Sequence, residues 1–166
     1  HNLPVLCTYE HQDIISNNNL HYAGELGLRP PEPVRKNALE ADLVLVVGHR
    51  FNGVPNMAYK FPSSKQMFVH VIPDPNTIGK IFRTDMGIVA DSENFLDQLS
   101  KVSNTNTNSE RDEWVKLCHY RYLNNDSTVT PRNANDGLDF AHFIDGLGKI
   151  APENSIITND AGNFTS

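Results

Sequence analysis

The segment Asp42-Leu43-Val44-Leu45-Val46-Val47-Gly48 constrains this chain more than any other. Leu and Val alone fill the stretch between Asp42 and Gly48, so a strand formed there is apolar on both faces and needs cover on both. Strands of that kind belong to parallel sheets with helices packed on each side. The segment therefore predicts an α/β fold with a central parallel strand between Asp42 and Gly48. Leu3 to Thr8 reads as another buried strand, and Pro33 to Ala41 as a short helix. Pro31 and Pro33 suit its first turn, where a missing N–H costs nothing. Met67 to Ile72 is a strand that has to stop at Pro73-Asp74-Pro75, because proline cannot donate to a ladder. After it the pattern predicts a short helix over Asn76 to Phe82, a short strand over Gly87 to Ala90, and an amphipathic helix over Ser92 to Val102. Ser92 is the N-cap candidate of that last helix, with Phe95, Leu96 and Leu99 on one face.

Ser103 to Ser109 is a Ser/Thr/Asn linker with nothing to bury and is expected to end the compact part. Glu110 to Leu123 reads as an aromatic-rich helix and Asn124 to Asp136 as a polar loop. Leu138 to Ile150 reads as a further helix, and Ser155 to Thr158 as a last strand running into Asn159-Asp160-Ala161-Gly162-Asn163-Phe164. Strands alternating with helices imply right-handed crossovers within one parallel sheet. A strand followed by a polar Gly-containing turn normally leads into a helix, and the opening strand at Leu3 has no element before it. The chain is thus expected to be a piece of a larger protein, truncated at both ends. At helical spacing Trp114, Leu117, Cys118 and Tyr122 make one apolar face, a simpler account than a box for an aromatic ligand.

Charge and composition narrow the partners. A formal net charge of −6 over 166 residues leaves no basic stripe for nucleic acid. The apolar run ending at Val47 is far too short to span a bilayer, and no charged and apolar leader opens the chain. Small molecules or sister domains are the expected partners, and the cytoplasm the expected location. Cys7 and Cys118 have no companion at metal-ligand spacing and read as two buried thiols. The seven histidines never fall as HxxxH or HxH, so sequence spacing provides no metal site.

Four segments carry a resemblance in order. They are His21 to Gly27, Glu40 to Phe51, Val69 to Pro75 followed by Ile78-Gly79-Lys80, and Asn159 to Phe164. Together they resemble the central domain of thiamine-diphosphate-dependent enzymes of the acetolactate synthase type, with the threshold of the domain that follows. The resemblance implies a Rossmann-like parallel sheet flanked by helices. It divides the chain into residues 1–102, a central domain lacking its first strand and helix, residues 103–136, a linker and connecting helix, and residues 137–166, the start of the diphosphate-binding domain. The implied parent is a homodimer or homotetramer that decarboxylates 2-keto acids and joins the product to a second carbonyl. Its partner domains bind the pyrimidine and the diphosphate of thiamine diphosphate, the latter with Mg²⁺. The catalytic groups of the family lie in those domains, so the chain alone is expected to be an inactive structural module with no cofactor bound.

By the same resemblance, Asp160, Gly162 and Asn163 approach the diphosphate in the parent, with a plain βα turn as the ordinary alternative. Gly24, Gly27, Arg50, Asp74 and Asp91 match the positions that hold FAD, or ADP in some relatives. The chemistry suits them: Gly allows close backbone approach, Arg forks to a phosphate, and a carboxylate takes ribose hydroxyls. Each also has an ordinary reading, as turn glycines, a structural ion pair or interface contact at Arg50, and a helix-terminal charge at Asp91. The chain departs from the synthases after Phe51, where Asn52-Gly53-Val54-Pro55-Asn56 replaces an acidic run with a second Arg. It departs again where Val71-Ile72-Pro73-Asp74 replaces Asp-Ile-Asp. The alternative from another class is a non-catalytic nucleotide-binding or regulatory domain like the NAD-binding fold of deacetylases. That class carries a Gln-Asn-x-Asp motif and often a Cys quartet, and neither is present.

Overall fold

Every strand pair in the computed structural model is parallel, as a strand apolar on both faces requires. The structure describes residues 1–103, 109–125, 135 and 137–158. The elements run β1 (Val5–Thr8), β2 (Tyr22–Leu26), α1 (Glu32–Leu39), β3 (Leu43–Val47), β4 (Met67–Ile72), β5 (Met86–Val89), α2 (Ser92–Lys101), α3 (Ser109–Leu123) and α4 (Phe140–Ile150). Among the described residues they form a two-stranded sheet, β1-β2, and a three-stranded sheet, β3-β4-β5. The fold is α/β with parallel sheets flanked by helices.

One hydrophobic cluster joins the two sheets: Leu26 from β2, Ala38 from α1, Val46 from β3, Phe68 from β4, and Phe51 and Phe61 from the loop between β3 and β4. Strand β4 lies deepest, with Val71 fully buried, because among the described strands it alone has a neighbour on each side. The C-terminus of α1 is closed by buried Gln66, whose Nε2 donates to the carbonyls of Ala38 and Ala41 at 2.9 and 2.8 Å. Those carbonyls would otherwise lack a partner at the helix end.

Several expectations need correction. Strand β3 was expected in the centre of a sheet, yet among the described residues it is an edge, paired only with β4, and Leu43 is 46% exposed. Strand β2 escapes the sequence pattern, because Gly24 sits inside it and breaks the run of bulky residues that marks a strand. In place of a helix over Asn76 to Phe82 there is a single 3-10 turn, Pro75–Thr77. Gly79 beyond it takes φ +74°, a left-handed geometry that no helix continues. Ser155 to Thr158 form no strand, and Ile156 is 91% exposed, since a strand needs a neighbour to complete its ladder.

The helix after the 103–109 linker returns to the sheet. In α3, Val115 and Cys118 are buried against β2 and α1, and Tyr122 meets Tyr22 edge-on with ring centroids 4.7 Å apart. Asn37 of α1 is 3% exposed, and its Nδ2 donates to the carbonyls of Ala23 and Cys118, both at 3.0 Å. One amide thereby ties strand, helix and helix together. Arg121 completes the seam, with an ion pair to Glu40 at 2.7 Å and its guanidinium 5.7 Å from the centre of the Trp114 ring. Cys7 and Cys118 are both buried free thiols, and burial pushes the Cys118 thiol up to about 12. It is therefore protonated and inert at neutral pH.

Candidate site at the carboxyl edge of the sheet

Because the strands within each sheet run the same way, their C-terminal ends share an edge, the place where ligands of open α/β sheets bind. Gly27 follows β2, Arg50 follows β3, Asp74 follows β4 and Asp91 follows β5. Gly24 does not belong to this set. It lies within β2 at φ +108°, and a Cβ there would stand 2.7 Å from Val34 Cγ1 of α1. Its lack of a side chain serves helix-on-strand contact. Gly27 has an ordinary φ, and a Cβ on it would meet Glu25 Oε1 at 2.8 Å. Asp160, Gly162 and Asn163 lie outside the described residues.

Arg50 and Asp74 come from adjacent strand ends, since Val47 of β3 is in register with Val71 of β4. Asp74 is exposed and caps the 3-10 turn. Its Oδ1 accepts from the N–H of Asn76 at 3.0 Å and from Asn76 Nδ2 at 3.1 Å, and its Oδ2 accepts from Thr77 Oγ1 at 3.0 Å. The Asn76 and Thr77 bonds, with a smaller contribution from Arg50, hold its carboxyl below the usual aspartate value. Arg50 itself is exposed and makes none of the ion pairs among the described residues. Of the ordinary roles expected for it, the ion pair is absent there.

Asp91, and not Ser92, caps α2, its Oδ1 accepting from the N–H groups of Glu93 and Asn94 at 3.0 and 3.3 Å. The helix-terminal role expected of it is thus filled. Asp91→Ala is expected to lower stability by about 1 kcal/mol, read as a smaller midpoint in urea unfolding. A loss below a tenth of that would remove the cap from the account of α2.

Between β3, β4 and the turn lies a shallow cleft, open to solvent and lined by Arg50, Phe51, Phe68, His70, Thr77 and Phe82 among others. Its enclosed space is only about 10 Å³, about what a single water needs, so it encloses no dinucleotide. Phe51 forms its inner wall. It is 3% exposed, its ring packed near Phe61, Phe68 and Phe82 at centroid distances of 5.6, 5.9 and 6.2 Å. Its backbone sits at φ +54°. The motif pointed to Arg50 alone. His49, Phe51 and Asn56 meet within the loop itself, but no motif marks such contacts, and His70 joins them only through the β3-β4 pairing. Among the described residues no group of three or more His, Cys, Asp or Glu is placed to hold a metal ion, and no helix is long and apolar enough to cross a membrane.

Residues 1–99 match the family model described as thiamine pyrophosphate enzyme, central domain. Among curated proteins, a sulfoacetaldehyde acetyltransferase of Roseovarius nubinhibens is 28% identical over 114 residues, 66% of this chain and 19% of that protein. A probable acetolactate synthase large subunit of Methanocaldococcus jannaschii is 23% identical over 168 residues, 96% of this chain and 28% of that protein. A pyruvate oxidase of Lactiplantibacillus plantarum is 26% identical over 95 residues, 57% of this chain and 15% of that protein. The chain thus spans well under a third of the length of the relatives it matches.

Proposed function

The chain belongs to the family of thiamine pyrophosphate enzyme central domains, and from that premise we propose that it is the middle domain of a longer enzyme of the acetolactate synthase type. That parent decarboxylates a 2-keto acid and transfers the product to a second carbonyl, as a cytoplasmic homodimer or homotetramer. Thiamine diphosphate, with Mg²⁺, supplies the decarboxylation chemistry when bound in the flanking domains. Residues 1–102 are the central unit, with α3 of the 103–136 connection folded back on it, and residues 137–166 open the next domain. There Asp160, Gly162 and Asn163, which lie outside the described residues, are the candidates for the diphosphate, because a Gly-containing sequence of this kind can form an anion-binding concavity of backbone N–H groups. On this reading the chain provides architecture and domain spacing, not catalytic groups.

One observation carries the structural part of this reading: among the described residues β3, apolar along its whole length, has a free edge. We take that edge to be covered by a strand from the rest of the longer protein. The N–H of Gly48 donates to the carbonyl of Val71, so the alternation of the strand turns the N–H groups of Leu45 and Val47 to the open edge. Amide hydrogen exchange is the test. Leu45 and Val47 should exchange quickly in the 166-residue chain and become protected in the longer enzyme. Equal, slow exchange in both would end the strand-completion reading.

A second reading, an adenine nucleotide (ADP or FAD) held at the carboxyl edge, draws on exposed Arg50 beside Asp74. The cleft encloses too little space for any part of a nucleotide, so on this reading a phosphate would lie on the exposed surface at Arg50. Thermal unfolding with FAD, ADP, and thiamine diphosphate plus Mg²⁺ separates the readings, since a ligand that binds only the native state raises its stability. The scaffold reading expects no shift with any of the three. A rise with ADP or FAD that Arg50→Ala removes would replace it with the nucleotide reading.

A further inference from the structure

The turn after β3 is held by side chains, and one of them works in a single protonation state. The N–H of Phe51 donates to Nδ1 of His49 at 2.8 Å. The carbonyl of Phe51 accepts from Nδ2 of fully buried Asn56, also at 2.8 Å. Both polar groups of a residue at φ +54° are therefore fixed from outside the backbone ladder. The left-handed geometry is unfavourable for a non-glycine residue, so it persists only while such contacts hold it. The chain of bonds goes on in both directions. Nε2–H of His70, on β4, donates to the carbonyl of His49 at 2.9 Å, and Oδ1 of Asn56 accepts from the N–H of Tyr59 at 2.8 Å.

An imidazole nitrogen that accepts an N–H must carry no proton. We propose that His49 is a proton-sensitive latch for the β3-β4 loop: neutral, it holds Phe51 and so fixes where Arg50 leaves the strand; protonated at Nδ1, it releases that turn. The idea needs no ligand at Arg50. His11, in the loop after β1, and His70, on β4, oppose a positive charge on His49, and Arg50 is its neighbour in the chain. Burial first, then His11 and His70, draw its pKa below the ordinary histidine value of 6.5. The latch is therefore closed at neutral pH and opens on acidification. For a base whose folded pKa is depressed, the unfolded chain binds the proton more readily, so stability is present above about pH 6.5 and is lost as pH falls through the folded pKa.

The test is an NMR titration of the labelled 166-residue chain from about pH 8 to about pH 5, the range in which histidines change charge. The amides of Phe51 and Tyr59 should move with the His49 ring, at one shared midpoint below 6.5. His49→Asn places an amide oxygen where Nδ1 stood; it should keep the neutral-pH position of the Phe51 amide and abolish the step. His11→Gln should keep the step and shift its midpoint upward. The proposal is overturned if His49 titrates while the Phe51 amide stays still, or if the step survives in His49→Asn. Should His49→Asn fail to fold, the wild-type titration still decides, because it alone compares the ring with the amide.

Discussion

Phe51→Ala is expected to lower the thermal midpoint of the chain by about 10 °C, the largest effect of any single truncation at the carboxyl edge. A buried Phe replaced by Ala typically costs about 3–5 kcal/mol through lost transfer energy and the cavity left behind. For a chain of this size each kcal/mol moves the midpoint by about 2–4 °C. Phe51 should lie inside that range. Its ring is the meeting point of Phe61, Phe68 and Phe82, and the cluster it belongs to joins strands of both sheets. The positive φ at this position burdens Phe and Ala alike and cancels in this comparison, but a Gly would not bear it. Phe51→Gly would remove that strain and add unfolded-state entropy instead. A drop of less than about 3 °C in Phe51→Ala, measured by calorimetry, would mean that the aromatic cluster does not hold the sheets together.

The second large effect is expected at Gly24. Adding a methyl group in Gly24→Ala places a Cβ 2.7 Å from Val34 Cγ1, at a φ of +108° that L residues rarely adopt. Overpacking of this kind costs about 1–3 kcal/mol, and the left-handed geometry adds about 1–2 kcal/mol. We expect a total near 3 kcal/mol in urea unfolding, enough to threaten a domain whose whole stability is of order 5–15 kcal/mol. The two causes separate in a double-mutant cycle. Val34→Ala opens a cavity by itself, but in the Gly24→Ala background it also removes the clash, so the pair should couple favourably by about 1 kcal/mol or more. Strict additivity would assign the whole cost of Gly24→Ala to its backbone angle and none to helix packing.

These two residues illustrate what sequence could and could not show. The motif around Gly24 marked the glycine as special and offered a ligand or a turn as the cause. The structure adds a third cause, close contact with α1, since Gly24 sits within β2 under Val34. Phe51 attracted attention only as the neighbour of Arg50, and its place at the junction of the two sheets depends on Phe61, Phe68 and Phe82 reaching the same point. For Asp91 the ordinary alternative, a helix-terminal charge, is met although Ser92 was the expected cap, because capping depends on residues two or three positions away. The helix expected over Asn76 to Phe82 failed for an equally local reason, the left-handed Gly79.

By itself, then, the sequence determined the elements whose signals are local: the apolar strands β3 and β4, the helices α1 to α4 to within a few residues, their alternation, the parallel α/β class, and the thiamine-enzyme family. Tertiary structure alone decided that α3 folds back through Asn37 onto β2. It also decided that Arg50 and Asp74 meet at one edge, and that His49, Asn56 and His70 lock the turn between them. The physical reason is the range of the forces involved. Hydrophobic period, proline and caps act over a few residues and are written along the chain. Buried amide bridges and aromatic contacts join residues that lie far apart in sequence, and only the folded arrangement brings them within 3 to 6 Å of each other.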